Sequence, residues 1–86
     1  MKINKLIEIV KEKITKEIIL QEINVQDKSF LHKSHKNNSP NKFHIKITII
    51  SDELKPKKKI DTTKRIYKIL ENELKNYIHS IQLSIN

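Results

Sequence analysis

Apolar and polar positions along this chain follow two rhythms, and the switches between them mark its elements. From residue 2 to about 17, Ile3, Leu6, Ile7, Val10 and Ile14 recur at helical spacing, with Lys5, Glu8, Lys11, Glu12 and Lys16 mostly opposite. One apolar stripe and one solvated face predict an amphipathic helix that covers a core. Its charges are mixed in sign, which argues against a basic helix lying on a membrane surface. From Ile18 to Val25 the β-branched content rises and Ile19, Ile23 and Val25 share a parity, predicting a first strand. Residues 27 to 42, rich in Lys, Asn and Ser and containing Pro40, read as a loop. The clearest strand is Phe43 to Ser51, where Phe43, Ile45, Ile47 and Ile49 alternate with His44, Lys46 and Thr48. This parity places His44 on the wet face.

A basic connection, Glu53-Leu-Lys-Pro-Lys-Lys-Lys59, leads to Asp61 or Thr62, either of which suits the cap of a second long helix. Ile66, Ile69, Leu70, Leu74 and Tyr77 form its core stripe, Lys64, Lys68, Glu71 and Lys75 lie opposite, and Glu73 intrudes into the apolar arc. His79, Ile81, Leu83 and Ile85 then share a parity, so the last strand is expected to begin its inward face with histidine. The order α-β-β-α-β, with a short turn before the second helix, predicts an α/β (α+β) fold. In it a hairpin and a returning helix build a three-stranded sheet with helices packed on one face.

Length and composition narrow the functional classes. At 86 residues the chain is expected to be a single domain, residues 1–86, with a thin core. It has no cysteine, hence no disulfide, no thiolate nucleophile and no Cys-based metal site of its own. It also has no glycine, which removes Walker A and Rossmann phosphate loops. No apolar run is long enough for a membrane span and no cleavable signal pattern opens the chain. A soluble, intracellular protein is expected, cytoplasmic, or mitochondrial in a eukaryote. The net charge of +8 suits a polyanion partner, although the heavy use of Ile, Lys and Asn offers a coding-bias explanation for the same excess.

The candidate chemistry is concentrated in Asp27-Lys-Ser29-Phe-Leu-His32-Lys-Ser-His35, which gathers a carboxylate, a hydroxyl and two imidazoles between two predicted strands. Asp27, Ser29 and His32 are too close in sequence to converge as a hydrolase triad, and no glycine-based nucleophile elbow exists. Asp27 and Ser29 instead suit loop organisation, through bonds to nearby backbone N–H groups. The plainer reading of His32, His35 and His79 is two solvated loop residues and a satisfied strand-end histidine.

In order and spacing the chain resembles the BolA family. The residues are Asp27, Ser29, His32 and His35, then Phe43 opening a strand that ends at Ser51, Ile66-Tyr67, Glu73-Leu74 and Ile78-His79-Ser80. The resemblance spans nearly the whole chain. It implies a class II KH-like fold with a mixed three-stranded sheet, and a non-enzymatic role beside a monothiol glutaredoxin in handling [2Fe-2S] clusters. Some members are proposed transcriptional regulators. The chain departs from the pattern at Thr63-Lys64, where a histidine-arginine pair is common, at Lys42, where histidine is usual, and at Leu54 and Pro56, where phenylalanine and glycine are usual.

Imidazole can replace thiolate on an iron–sulfur cluster, as in Rieske centres. The resemblance therefore implies a cluster shared with glutaredoxin and glutathione, none being bound by this chain alone. His79 and His35 are the expected ligands and His32 the substitute. No membrane and no small-molecule substrate is expected. The alternative partner is DNA, through Lys57, Lys58, Lys59, Lys64, Arg65 and Lys68 around the start of the second helix. Without glycine, however, the Gly-x-x-Gly clamp of KH domains cannot form.

Overall fold

The computed structural model describes residues 1–29 and 42–86. Its elements are α1 (Ile3–Glu17), β1 (Glu22–Asp27), β2 (Phe43–Ile50), α2 (Lys59–Ile69), α3 (Glu71–Asn76) and β3 (Ile78–Ile85). The sheet order is β1-β2-β3. β1 runs antiparallel to β2, with Val25 opposite Ile47, and β3 runs parallel to β2, with Leu83 opposite Ile47. Two parallel neighbours need a crossover, and α2 with α3 supplies it. The result is the expected α+β arrangement, compatible with a class II KH-like description.

The core lies between the helices and one face of this sheet. Leu6, Val10 and Ile14 of α1 are fully buried at i, i+4, i+8, and meet Val25, Ile45, Ile47, Ile49 and Leu83 from the sheet and Ile66 and Leu70 from the second helical stretch. On the strands, residues between these point to the helix-free face, including Asn24, Lys46, Thr48 and Gln82.

Four local expectations change. The first strand begins at Glu22 rather than Ile18. Ile18 ends α1, its N–H bonded to Ile14 O and its side chain buried, while Ile19 is 75% exposed. The backbone of Ile19 is tied elsewhere: its N–H donates to Glu53 Oε2 at 2.9 Å and its carbonyl accepts from Ser51 Oγ at 2.7 Å. The backbone groups that a longer strand would pair are thus already used.

The second helix begins at Lys59, ahead of both proposed caps, and Lys58 occupies the N-cap position with no side-chain cap bond. The N–H groups of Asp61 and Thr62 both reach the Lys58 carbonyl, so Asp61 lies inside the first turn and Thr62 turns inward, only 3% exposed. The long helix is also divided at Leu70 (φ −99°, ψ 19°) into α2 and α3. Glu73, the polar intruder, is 3% exposed and receives Lys13 Nζ on both carboxylate oxygens at 2.8 Å. A charge in the apolar arc is satisfied from α1.

The fourth change concerns β3. Phe43 pairs with Ile78 but His44 pairs with Ser80, so His79 is an extra residue, a bulge. Ile78 is therefore the inward residue and His79 is exposed, whereas Ile81, Leu83 and Ile85 keep their inward parity. His44 does point to the helix-free face, yet it is 5% exposed rather than wet. The ring of His79 covers it.

Candidate functional site

The bulge creates the first candidate. Because β2 and β3 are parallel, His44 and His79 both lie at the starts of their strands, and the extra residue brings the two rings into a stack. Their centroids are 4.7 Å apart with 25° between planes. His44 is held from three sides. Its Nδ1 hydrogen-bonds Ser80 Oγ at 2.6 Å, its N–H donates to Ser29 Oγ at 3.1 Å, and its carbonyl accepts from Lys28 N–H at 2.7 Å. Ser29 in turn donates its N–H to Asp27 Oδ1 at 2.9 Å. The carboxylate and hydroxyl singled out in the sequence thus bond backbone N–H groups beside His44.

His79 is the outer member of the stack. Its ring is accessible, oriented by a buried neighbour, and among the described residues makes that stacking contact and no hydrogen bond. His32 and His35 lie outside the described residues. Among the described residues no group of three or more His, Cys, Asp or Glu side chains is gathered to hold a metal ion. What this end of the sheet offers is one oriented imidazole. Its supports, His44 and Ser80, were missed in the sequence because strict alternation hides a bulge.

The second candidate is the basic region around α2. Lys57, Lys58, Lys59, Lys64 and Lys68 are exposed. Arg65 is not part of that solvated set: its Nη1 donates to Glu53 Oε1 at 3.3 Å and its Nη2 to the Glu17 carbonyl at 2.6 Å. Glu53 accordingly has its carboxyl held below the usual carboxylate value, first by the Ile19 N–H and then by Arg65. Arg65 and Glu53 staple the end of α1 to the turn before α2. Tyr67, on the same helix, is 41% exposed. Between that turn, the first turn of α2 and the end of β3 lies a cavity of about 240 Å³. No helix among the described residues is long and apolar enough to cross a membrane.

A mixed sheet covered on one face by helices, with an imidazole at the start of its last strand and lysines ahead of its crossover helix, defines a small α+β fold whose candidate chemistry sits at element ends. The profile of the BolA-like protein family matches residues 14–86, and the chain belongs to that family. It is 31% identical over 78 residues to the DNA-binding transcriptional regulator BolA of Haemophilus influenzae, a match covering 91% of this chain and 73% of that protein. The structure resembles the BolA domain of SufE1 from Arabidopsis thaliana, with TM-score 0.81 and 26% identity over 99% of this chain and 94% of that one. It also shares the fold of BolA1 from Arabidopsis thaliana, with TM-score 0.76 and 22% identity over 93% and 88% of the two chains.

Proposed function

We propose that this protein is a non-enzymatic adaptor that completes a [2Fe-2S] cluster held mainly by a monothiol glutaredoxin and glutathione. The observation that carries the reading is the accessible His79 imidazole, projected by the bulge and braced on buried His44. The donor set suits a cluster shared with a partner. With no cysteine in the chain and one oriented imidazole among the described residues, sulfur ligands must come from a partner. His79 is the ligand this chain offers, with His35 or His32 the proposed second. A bound cluster supplies one-electron and cluster-transfer chemistry, and imidazole ligation raises its potential. The chain's own part is to hold the imidazole in one plane, through the stack and the bonds that fix His44.

The test mixes the protein anaerobically with cluster-loaded monothiol glutaredoxin and glutathione, and follows visible absorption and circular dichroism. A heteromeric spectrum that forms with wild type and vanishes with His79→Ala is the expected result. An unchanged glutaredoxin spectrum with both proteins removes the reading for that partner.

A second reading, nucleic-acid binding, is supported by the similarity to the DNA-binding transcriptional regulator BolA of Haemophilus influenzae and by the exposed lysines from Lys57 to Lys68. Their contact would be to phosphates, so affinity for duplex DNA should fall steeply as salt rises. Lys57→Ala, Lys58→Ala and Lys59→Ala combined should weaken it and flatten the salt slope, while His79→Ala leaves it unchanged. Fluorescence anisotropy across a salt series separates the two readings.

A further inference from the structure

The sheet has two outer edges, and the sequence treats them differently. β1, on one side, carries Glu22 and Asp27 and is followed by Lys28. Charge on an edge strand is a common guard against pairing with another chain. β3 has no such guard. From Asn76 to Asn86 there is no Lys, Arg, Asp, Glu or Pro, in a chain of which 33% is charged. Its bulge blunts only the His79 end.

The direction of the backbone groups of β3 follows from its far end. Asn86 donates its N–H to Ile49 O at 2.8 Å and accepts from Ser51 N–H at 3.2 Å, so both of its backbone groups face β2. Successive residues of a strand aim these groups at opposite sides. Ser84 and Gln82 therefore also face β2, while Ile85, Leu83 and Ile81 turn N–H and C=O to the outer edge. No described group bonds them there. Of the side chains, Ser80 and Gln82 are exposed on the helix-free face, and Ile81 and Ile85 are half-buried against the core.

The segment Ser80-Ile-Gln-Leu-Ser84 reads nearly the same in both directions. Antiparallel pairing with a second copy about Gln82 sets Ile81 of each copy opposite Leu83 of the other. All four residues present the outward N–H and C=O that a hydrogen-bonded pair needs. Gln82 then meets Gln82 in the non-hydrogen-bonded position at the centre, and Ser80 meets Ser84. A shift of one residue would set an outward-facing residue against one that faces β2. Backbone direction and side-chain kind thus agree: apolar meets apolar on the helix side, and amide and hydroxyl meet their like on the open side. The charges beyond the strand favour the same sense. Lys55, Lys57 and Lys59 stand beside Ser84 and Ile85, and twofold pairing carries the two sets to opposite ends, each beside the uncharged Ser80 end of the other copy.

We propose that this chain forms a twofold dimer through its β3 edges, joining two copies into one continuous sheet in the order β1-β2-β3-β3-β2-β1. The edges that remain are the charged β1 strands, so the assembly closes at the dimer. The interface rests on no property of the His79 imidazole.

The test is sedimentation velocity on the full chain from about 10 μM to about 1 mM, with amide hydrogen exchange read by NMR over the same range. A monomer–dimer equilibrium is expected, with the Ile81 and Leu83 amides gaining protection as concentration rises. Gln82 is exposed, so substitutions there should keep the fold, as circular dichroism checks. Gln82→Lys alone and Gln82→Glu alone place like charges at the twofold axis, and each should weaken association about fivefold or more. An equimolar mixture of the two should associate about tenfold or more tightly than either alone, because opposite charges then face each other. In a register two residues away Gln82 would face Ser84, and mixing would restore nothing. Asn24→Lys, the same charge change on β1, should associate as wild type does. A chain still monomeric at about 1 mM, oligomers that grow past the dimer, or no gain on mixing the two Gln82 variants overturns the proposal.

Discussion

At the scale of single residues, the structure separates polar side chains that hold the fold from those that face outward. Glu73 is the clearest of the first kind. Burial pushes its carboxyl up, but the hydrogen bonds from Lys13 and Asn72 outweigh this and leave it below the ordinary value of 4.5. A carboxyl lowered on folding contributes stability that is full above its unfolded value and is lost as pH falls through its folded value. Stability should therefore decline on acidification below about 4.5, and Glu73→Gln should flatten that decline in urea melts recorded across pH. Lys13→Ala, which strands a buried carboxylate, should cost roughly 1–3 kcal/mol near neutral pH and shrink the acid slope. The two stacked histidines should divide in the same manner. His44→Ala removes a buried ring and its bond to Ser80, and should destabilise by roughly 1–3 kcal/mol. His79→Ala, at the exposed side of the stack, should cost less than about 1 kcal/mol while abolishing the proposed cluster spectrum.

At the scale of elements, helix and strand ends carry the departures from pattern. Ser51 closes the turn after β2: its Oγ donates to Ile19 O at 2.7 Å and accepts from Leu54 N at 3.2 Å. Since it is fully buried, Ser51→Ala should lower stability by roughly 1–3 kcal/mol, read as a shift in urea midpoint without change in slope. The start of α2 behaves in the opposite sense. Lys58 places a cation at the positive end of the helix with no cap bond, so Lys58→Asp should stabilise by roughly 0.5–2 kcal/mol in thermal melts. An uncapped, lysine-flanked helix start is a local stability defect.

For the whole molecule, the hydrogen-bond pattern makes β2 the centre, paired on both sides while β1 and β3 each keep one edge. Amide exchange should be slowest along Ile45, Ile47 and Ile49 and faster on the outer strands, because opening β2 requires breaking both ladders. This organisation was largely legible in the chain: Leu6, Val10 and Ile14, the alternation of Ile45 to Ile49, and the stripe through Ile66 and Leu70 are all core. Periodicity reports which face an element buries, and burial of apolar area is what drives these elements together. The sites were legible only as residue types. That His79 faces outward while His44 is buried follows from one extra residue in β3, which alternation carries no trace of. That Arg65 binds Glu53 rather than joining the lysines, and that Thr62 is buried inside α2 rather than capping it, depends on groups distant in sequence. The sequence by itself determined the element order, the apolar faces and the absence of thiol and glycine chemistry, because these follow from local spacing and composition. Register, the bulge, and the pairing of buried polar groups were decided by tertiary structure, since each is settled by which partner a distant strand or helix brings within hydrogen-bond reach.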